Sequence, residues 1–229
     1  MIVPITSEPE WLEALTDLPA FDPGTAPVLL LSPHPDDETL GAGALIASLA
    51  AQGHPITVVA VTDGENAYPD NDGLAATRIR EHAEALRILS NGTATLHRLH
   101  LTDSGVTPQT NRLIEALTPL VTPETHLIAP WTGDFHPDHE ACGQAAAELA
   151  RRTGARLTFY FFWTWHRGTP DTIRGLSLRS FPITQTLLER KLDALARHHS
   201  QLHREAGDPI LPDNLLAPAR RNFEVFATA

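Results

Sequence analysis

The chain has a single cysteine, Cys142, in 229 residues. An intrachain disulfide is therefore impossible, and nothing marks an oxidising compartment. No apolar run approaches the roughly 20 residues that a membrane-spanning helix needs. The first residues, MIVPITSEPEWLEAL, lack a basic start followed by an apolar core, so no signal peptide is expected. Basic residues are scarce. Against 28 Asp and Glu stand 17 Lys and Arg, a net charge of −11. Nucleic acids and anionic membrane surfaces are poor partners for such a chain. The expectation is a soluble, cytoplasmic protein that binds neither. Histidine alone is abundant, with 12 residues, which turns attention to metal and proton chemistry.

Hydrophobic residues make up 42% and charged residues 20%, a globular composition rather than a disordered one. Short apolar runs alternate with helical patterns. VLLLS (28–32), ITVVAVT (56–62), TATLHRLHL (93–101), HLIAP (126–130) and ARLTFYFFWTW (155–165) read as strands. Segments 39–53, 74–92, 109–121, 138–152 and 183–201 read as helices. Residues 166–182 read as a loop with an edge strand, and FEVFA (223–227) as a further strand. The alternation predicts an α/β fold in one domain spanning 1–229: a Rossmann-like, doubly wound, mostly parallel sheet with helices on both faces. Residues 1–27 form a lead-in and 202–229 an irregular wrap. In such sheets ligands sit beyond the carboxyl ends of the strands, so chemistry is expected just after residues 32, 62, 101, 130 and 165.

Two of those places carry related motifs. Ser32-Pro33-His34-Pro35-Asp36-Asp37-Glu38-Thr39 follows the first strand, and Trp131-Thr132-Gly133-Asp134-Phe135-His136-Pro137-Asp138-His139-Glu140 the fourth. Each has His-Pro-Asp and then a metal-competent residue three places after the His. Proline at the second place suits the start of a helix and holds the preceding His in extended geometry. Residues three apart then converge across one turn. His34, Asp37, His136 and His139 are four candidate ligands of the type zinc uses. Four bound ligands make a closed structural site, and three leave the open vertex of a catalytic one. In the second case Asp36 and His136 stand beside the metal as base and acid, a set suited to amide hydrolysis.

PHPDDE with a distant HPDH resembles the PIG-L/LmbE-like family of zinc-dependent de-N-acetylases. Supporting matches are Thr62-Asp63-Gly64-Glu65, a helix with Arg78, Glu81, Ala85 and Leu89, and Lys191 followed by His198-His199-Ser200-Gln201. The likeness runs from about Val28 to Gln201. It implies that His34, Asp37 and His139 bind Zn2+, with Fe2+ an alternative occupant in vivo. It implies Asp36 as general base and His136 as general acid, with Asp138 orienting His136. The substrate implied is a small N-acetylglucosamine-containing molecule or conjugate, from which acetate is released.

Arg78, Glu65, Trp165 and His166 are the candidate substrate contacts. Glu38 is read as a brace rather than a catalytic group. Loops 64–73, 102–108 and 166–182 are expected to select the aglycone, and homo-oligomerisation through an exposed aromatic segment is one expectation. His54, His82, His97, His100 and His126 are read as surface or edge histidines. Gly41-Ala42-Gly43 is rejected as a dinucleotide fingerprint because the third glycine is missing. Two competing readings use the same residues: a non-haem Fe(II) oxygenase with a His/Asp/His triad, and a non-catalytic sugar- or nucleotide-binding α/β module.

Overall fold

The short apolar runs pair into one sheet whose two faces are both covered, which is why its central strands carry little polar alternation. A computed structural model describes residues 2–69, 72–205 and 207–229. In chain order the elements are α1 (Glu8–Ala14), β1 (Val28–Ser32), α2 (Asp37–Ala51), β2 (Ile56–Thr62), α3 (Leu74–Ser90), β3 (Thr95–Leu101), α4 (Thr110–Leu117), β4 (His126–Pro130), α5 (Pro137–Thr153), β5 (Arg156–Tyr160), α6 (Thr164–Arg167), β6 (Leu178–Pro182), α7 (Gln185–Leu195), α8 (His199–Leu202) and β7 (Phe223–Thr228). The seven strands lie in the order β3-β2-β1-β4-β5-β7-β6. β1 to β5 are parallel, and β7 runs antiparallel between β5 and β6. This is the mostly parallel α/β sheet that the alternation predicts.

Successive residues of β1 feed opposite sides. Leu29 and Leu31 join Leu113, Leu117 and Leu149 of α4 and α5 on one face. Val28 and Leu30 join Leu45, Leu49, Leu86 and Leu89 of α2 and α3 on the other. Each such leucine contributes about 1.5–3 kcal/mol on full burial. Chain order reverses between β1 and β4: β2 and β3 extend the sheet one way, β4 and β5 the other. The loops leaving β1 and β4 therefore diverge and open a crevice at their carboxyl ends. The two His-Pro-Asp motifs occupy those two loops.

Several expectations are corrected. The strand read over 155–165 ends at Tyr160, and Thr164–Arg167 turns into a helix. The aromatic run is largely buried, Phe161, Phe162 and Trp165 included, so it does not present the exposed segment expected for self-association. The helix read over 183–201 breaks after Leu195 and resumes at His199. His82 and His126, read as surface groups, are fully buried. The lead-in holds α1, whose Trp11 packs edge-on against Trp165 and donates its indole N–H to the Trp165 carbonyl (2.9 Å). Among the described residues no helix is long and apolar enough to cross a membrane.

One internal break bears on the site. α2 kinks at Ala42 (φ −145°, ψ 18°), and a kink leaves backbone groups unpaired. The buried Glu224 carboxylate accepts the N–H groups of Ala44 (2.8 Å) and Leu45 (2.9 Å). Lys191 Nζ donates to the Leu40 carbonyl (3.0 Å) and to Glu224 (2.8 Å). Gly41 lies at this break for packing, since a Cβ there would run into the Tyr160 ring.

Candidate active site

β1 ends on Ser32, whose hydroxyl lies 2.6 Å from the His34 carbonyl and 2.8 Å from Glu38 Oε2. That bond folds the chain back so that α2 starts at Asp37. Asp37 Oδ2 then accepts the His34 N–H (2.8 Å) and lies 3.1 Å from His34 Nδ1. Asp36, between them, takes φ 139° and ψ −26°. A non-glycine residue held at such an angle costs on the order of 1–3 kcal/mol and is tolerated where the surroundings impose it.

β4 supplies the other half. His136 is the N-cap of α5, and its Nδ1 accepts the Asp138 N–H (3.3 Å). His139 follows in the first turn, fully buried. Its Nδ1 lies 2.8 Å from Asp134 Oδ2, and its Nε2 faces Asp37 Oδ2 at 3.2 Å. Asp134 also accepts the backbone N–H groups of Phe162, Trp163 and Thr164 and the Thr164 hydroxyl. One carboxylate thus orients His139 and bends the chain after β5.

The ligand atoms of His34, Asp37 and His139 all lie within 4.8 Å of one another, and so do those of His34, His136 and Asp138. Two observations fit the first trio to a cation. His139 Nε2 is buried and makes no well-aligned hydrogen bond, facing only the Asp37 carboxylate at 3.2 Å, an arrangement that a cation between the two would satisfy. Buried carboxylates also crowd the place: Asp36, Asp37, Asp103, Asp134 and Asp138 are each under a tenth exposed. Imidazole with carboxylate is a donor set for zinc or ferrous iron.

The electrostatics follow from that crowding. Burial alone would raise Asp37, yet the His139 and His34 imidazoles hold it well below the usual carboxylate range. Burial likewise opposes ionisation of Asp103, and the His34 ring holds it at about 2. Burial pushes Asp36 up to about 8 against the pull of the Arg78 guanidinium. It pushes His136 down to about 4, helped by the neighbouring His34 and His139 rings.

A cavity of about 180 Å³ opens onto this cluster, lined among others by His34, Asp36, Asp37, Arg78, Asp103, His136 and Trp163. Arg78 spans its wall, donating to the Gly64 carbonyl (2.9 Å), the Pro35 carbonyl (3.0 Å) and Asp36 (3.2 Å). Gly64, at φ +65°, leaves the room, since a Cβ there would meet the guanidinium.

The structure thus brings together His34, Asp36, Asp37, Arg78, His136 and His139, and separates others. Trp165 and His166 are not on the cavity wall. Both are buried, and Trp165 packs between Trp11 and the Arg221 guanidinium. Trp163 takes the place expected of them, stacked on His136 with centroids 5.8 Å apart and planes 18° apart. Glu65 accepts the Asp103 N–H (2.9 Å) and ties two loops together. The Asp138 carboxylate accepts from Ser104 N (2.7 Å) and Val106 N (3.0 Å) and faces His34 Nε2 (3.3 Å). It is the backbone of Asp138, not its carboxylate, that holds His136. Glu38 braces the loop through Ser32, Thr39 (2.6 Å) and His82 (3.2 Å). Residues 70 and 71 of the 64–73 loop lie outside the described residues.

Asp134 and Asp103 were not among the candidates. Each had a signal: Asp134 sits two places before His136, and Asp103 follows the third strand at its carboxyl end. Polar residues at strand ends are common, and neither spacing alone marks a second carboxylate behind an imidazole.

Comparison with known proteins adds four findings. A family model described as "PIG-L: GlcNAc-PI de-N-acetylase" matches residues 29–150. The uncharacterized deacetylase YaiS of Escherichia coli (strain K12) is 30% identical over 180 residues, covering 76% of this chain and 90% of YaiS. A probable N-acetyl-α-D-glucosaminyl L-malate deacetylase of Bacillus cereus is 27% identical over 191 residues, 76% of this chain and 83% of that protein. Among solved structures, the N,N'-diacetylchitobiose deacetylase of Pyrococcus horikoshii superposes with a TM-score of 0.65 at 23% identity, over 93% of this chain and 83% of that one, a likeness of fold.

Proposed function

The chain belongs to the PIG-L family of de-N-acetylases, and from that premise we propose that it is a zinc-dependent hydrolase that removes the N-acetyl group from an N-acetylglucosamine-containing small molecule. The observation that carries this reading is the convergence of His34, Asp37 and His139 in the crevice between β1 and β4, their ligand atoms all within 4.8 Å of one another. These three residues would hold the ion. Bound there, zinc supplies a Lewis acid that brings the pKa of water to about 7 and stabilises a developing oxyanion.

The chain's own residues do the rest. Asp36 lies on the cavity wall, fixed by its strained backbone and by Arg78. In its carboxylate form, which the Arg78 guanidinium favours and a bound cation would favour further, it takes the proton of the attacking water. His136 is uncharged at rest, and with Nδ1 occupied by the Asp138 N–H its proton sits on Nε2. From there it donates to the acetamide oxygen as negative charge builds. His136 then gives its Nε2 proton to the departing nitrogen and recovers one from Asp36, which holds the proton taken from the water, so both residues end as they began. Water and amide are consumed, the C–N bond breaks, and acetate and a free amine leave. Asp103 and Asp138 hold His34 from behind, as Asp134 holds His139; such partners fix ring orientation and raise ligand basicity. Trp163, its ring held between His136 and the Arg167 guanidinium, lines the cavity beside the sugar position.

The test is acetate release from N-acetylglucosamine, its disaccharide, and its malate and inositol conjugates. Chelation is expected to abolish release and zinc to restore it. Activity that persists below stoichiometric metal, or binding of these sugars with no acetate formed, would defeat the reading.

A further inference from the structure

A second cavity, of about 270 Å³, lies against the first and shares Ala67, Trp163 and Ile210 with it. Neither alone reaches the ~300–1,000 Å³ typical of small-molecule sites, and the two together do. Their walls differ in chemistry. The first is built from imidazoles, carboxylates and the Arg78 guanidinium. The second is carbon: Pro69, Pro209 and Pro212 have no N–H to offer, and Ile2, Ile210 and Leu215 add aliphatic surface. Tyr68 presents only its ring, because its hydroxyl donates to the Ser200 carbonyl (3.1 Å) and accepts the Ile210 N–H (2.9 Å). The two charged residues of the wall, Arg204 and Asp208, are of opposite sign, and the guanidinium lies 4.2 Å over the Tyr68 ring.

We propose that this second cavity is the subsite for the group attached to the amino sugar, and that it takes an uncharged aryl or short alkyl aglycone. The proposal rests on the deacetylase reading for what occupies the first cavity. Continuity through Trp163 and Ile210 makes the occupant part of the same molecule. A wall without net charge does not match a dicarboxylate, and a wall made mostly of proline, aliphatic and aromatic carbon does not match a polyol. Apolar surface leaving water is what it rewards.

The experiment uses the full zinc-loaded chain and measures kcat/KM for acetate release from N-acetylglucosamine and from its methyl, butyl, hexyl and phenyl glycosides in both anomeric forms. Each methylene buried is expected to raise kcat/KM about threefold to fourfold until the cavity is filled. Pro212→Asp and Ile2→Asp, one half-buried and one at the rim, are expected to bring the hexyl-to-methyl ratio down toward one. Calorimetry on the same zinc-loaded chain with hexyl glucoside, which has no acetamide, reads the subsite without the reaction. A flat glycoside series with acetate still released overturns the subsite and spares the hydrolase. Faster turnover of the malate or inositol conjugate than of the hexyl glycoside also overturns it. Hexyl glucoside binding that Pro212→Asp weakens tenfold, with no acetate from any sugar, upholds the subsite and overturns the reaction. Neither binding nor release overturns both.

Discussion

Two buried charged clusters share helix α2, one at its start and one at its kink. At the kink, Lys191 and Glu224 spend their polar atoms on each other and on the backbone of residues 40, 44 and 45. At the start, Asp36 sits at a strained φ, His139 Nε2 faces Asp37 without a well-aligned hydrogen bond, and several carboxylates crowd two imidazoles. The first cluster is closed: it repairs a broken helix, and the Lys191 nitrogen and both Glu224 oxygens each have a partner. The second is open: its remaining valences point at a common centre beside a cavity. Burial and charge are common to both, so neither identifies a working site. Convergence of imidazole and carboxylate atoms beside a cavity is what sets the second apart.

The sharpest way to break this contrast is to remove a ligand. His139→Ala is expected to take bound zinc from about one per chain to near none, read by elemental analysis, with turnover lost; unchanged metal content would remove His139 from the ligand set. Next comes Asp36→Ala, which should keep the metal and lower turnover about 10²–10⁴-fold. Loss of metal instead would mean that Asp36 and Asp37 have exchanged roles.

At the kink the expectation reverses. Lys191→Met leaves the Glu224 charge buried without its partner, and breaking such a pair costs about 3–5 kcal/mol. Denaturant unfolding measures it, while metal bound per folded chain should hold. Lys191→Met with Glu224→Gln should recover part of the loss. A well-folded double variant that cannot bind zinc would show the two clusters to be one.

His126 extends the closed class. Its nitrogens lie 3.2 Å from the Pro23 carbonyl and 2.8 Å from the Thr158 hydroxyl, and burial, with Arg156 nearby, lowers it to about 4. The unfolded chain binds that proton at about 6.5. Its contribution is therefore complete above pH 6.5 and is lost as pH falls toward 4, about 3 kcal/mol in all. Unfolding free energies measured across that window should slope less steeply in His126→Gln, and an unchanged slope would place the acid sensitivity elsewhere. The smallest effect is at the rim: Trp163→Ala is expected to raise KM about threefold to tenfold with little change in kcat, since an aromatic contact contributes about 0.5–1.5 kcal/mol beyond its area. Trp165→Phe should lower stability instead.

Much of this architecture was legible in the residues. β1, β2 and β4 stand where the apolar runs lie, because a strand buried on both faces must be apolar throughout. The grouping of His34, Asp37 and His139 was legible because His-Pro-Asp imposes local geometry at a helix start. The misread segments have causes outside their own sequence. Phe161–Trp165 has the aromatic content of a strand, but Asp134 captures three of its N–H groups and turns it. The helix after Thr184 stops early because His198 is drawn in beside Thr39 and Glu38, while Glu81 accepts the N–H and hydroxyl of Ser200. Trp163 and Trp165 are two residues apart and indistinguishable by composition; the turn decides which one meets the cavity.

The residue order alone determined the strand–helix alternation, the crevice between the first and fourth strands, and the imidazole and carboxylate groups delivered there. Those follow from backbone dihedrals, side-chain period and turn chemistry, which act over a few neighbours. Only the folded chain decided that Asp134 stands behind His139, that Glu224 mends α2 from 180 residues away, and that an apolar chamber adjoins the polar one. Those depend on which distant atoms fill the same space, and nothing in local spacing encodes that.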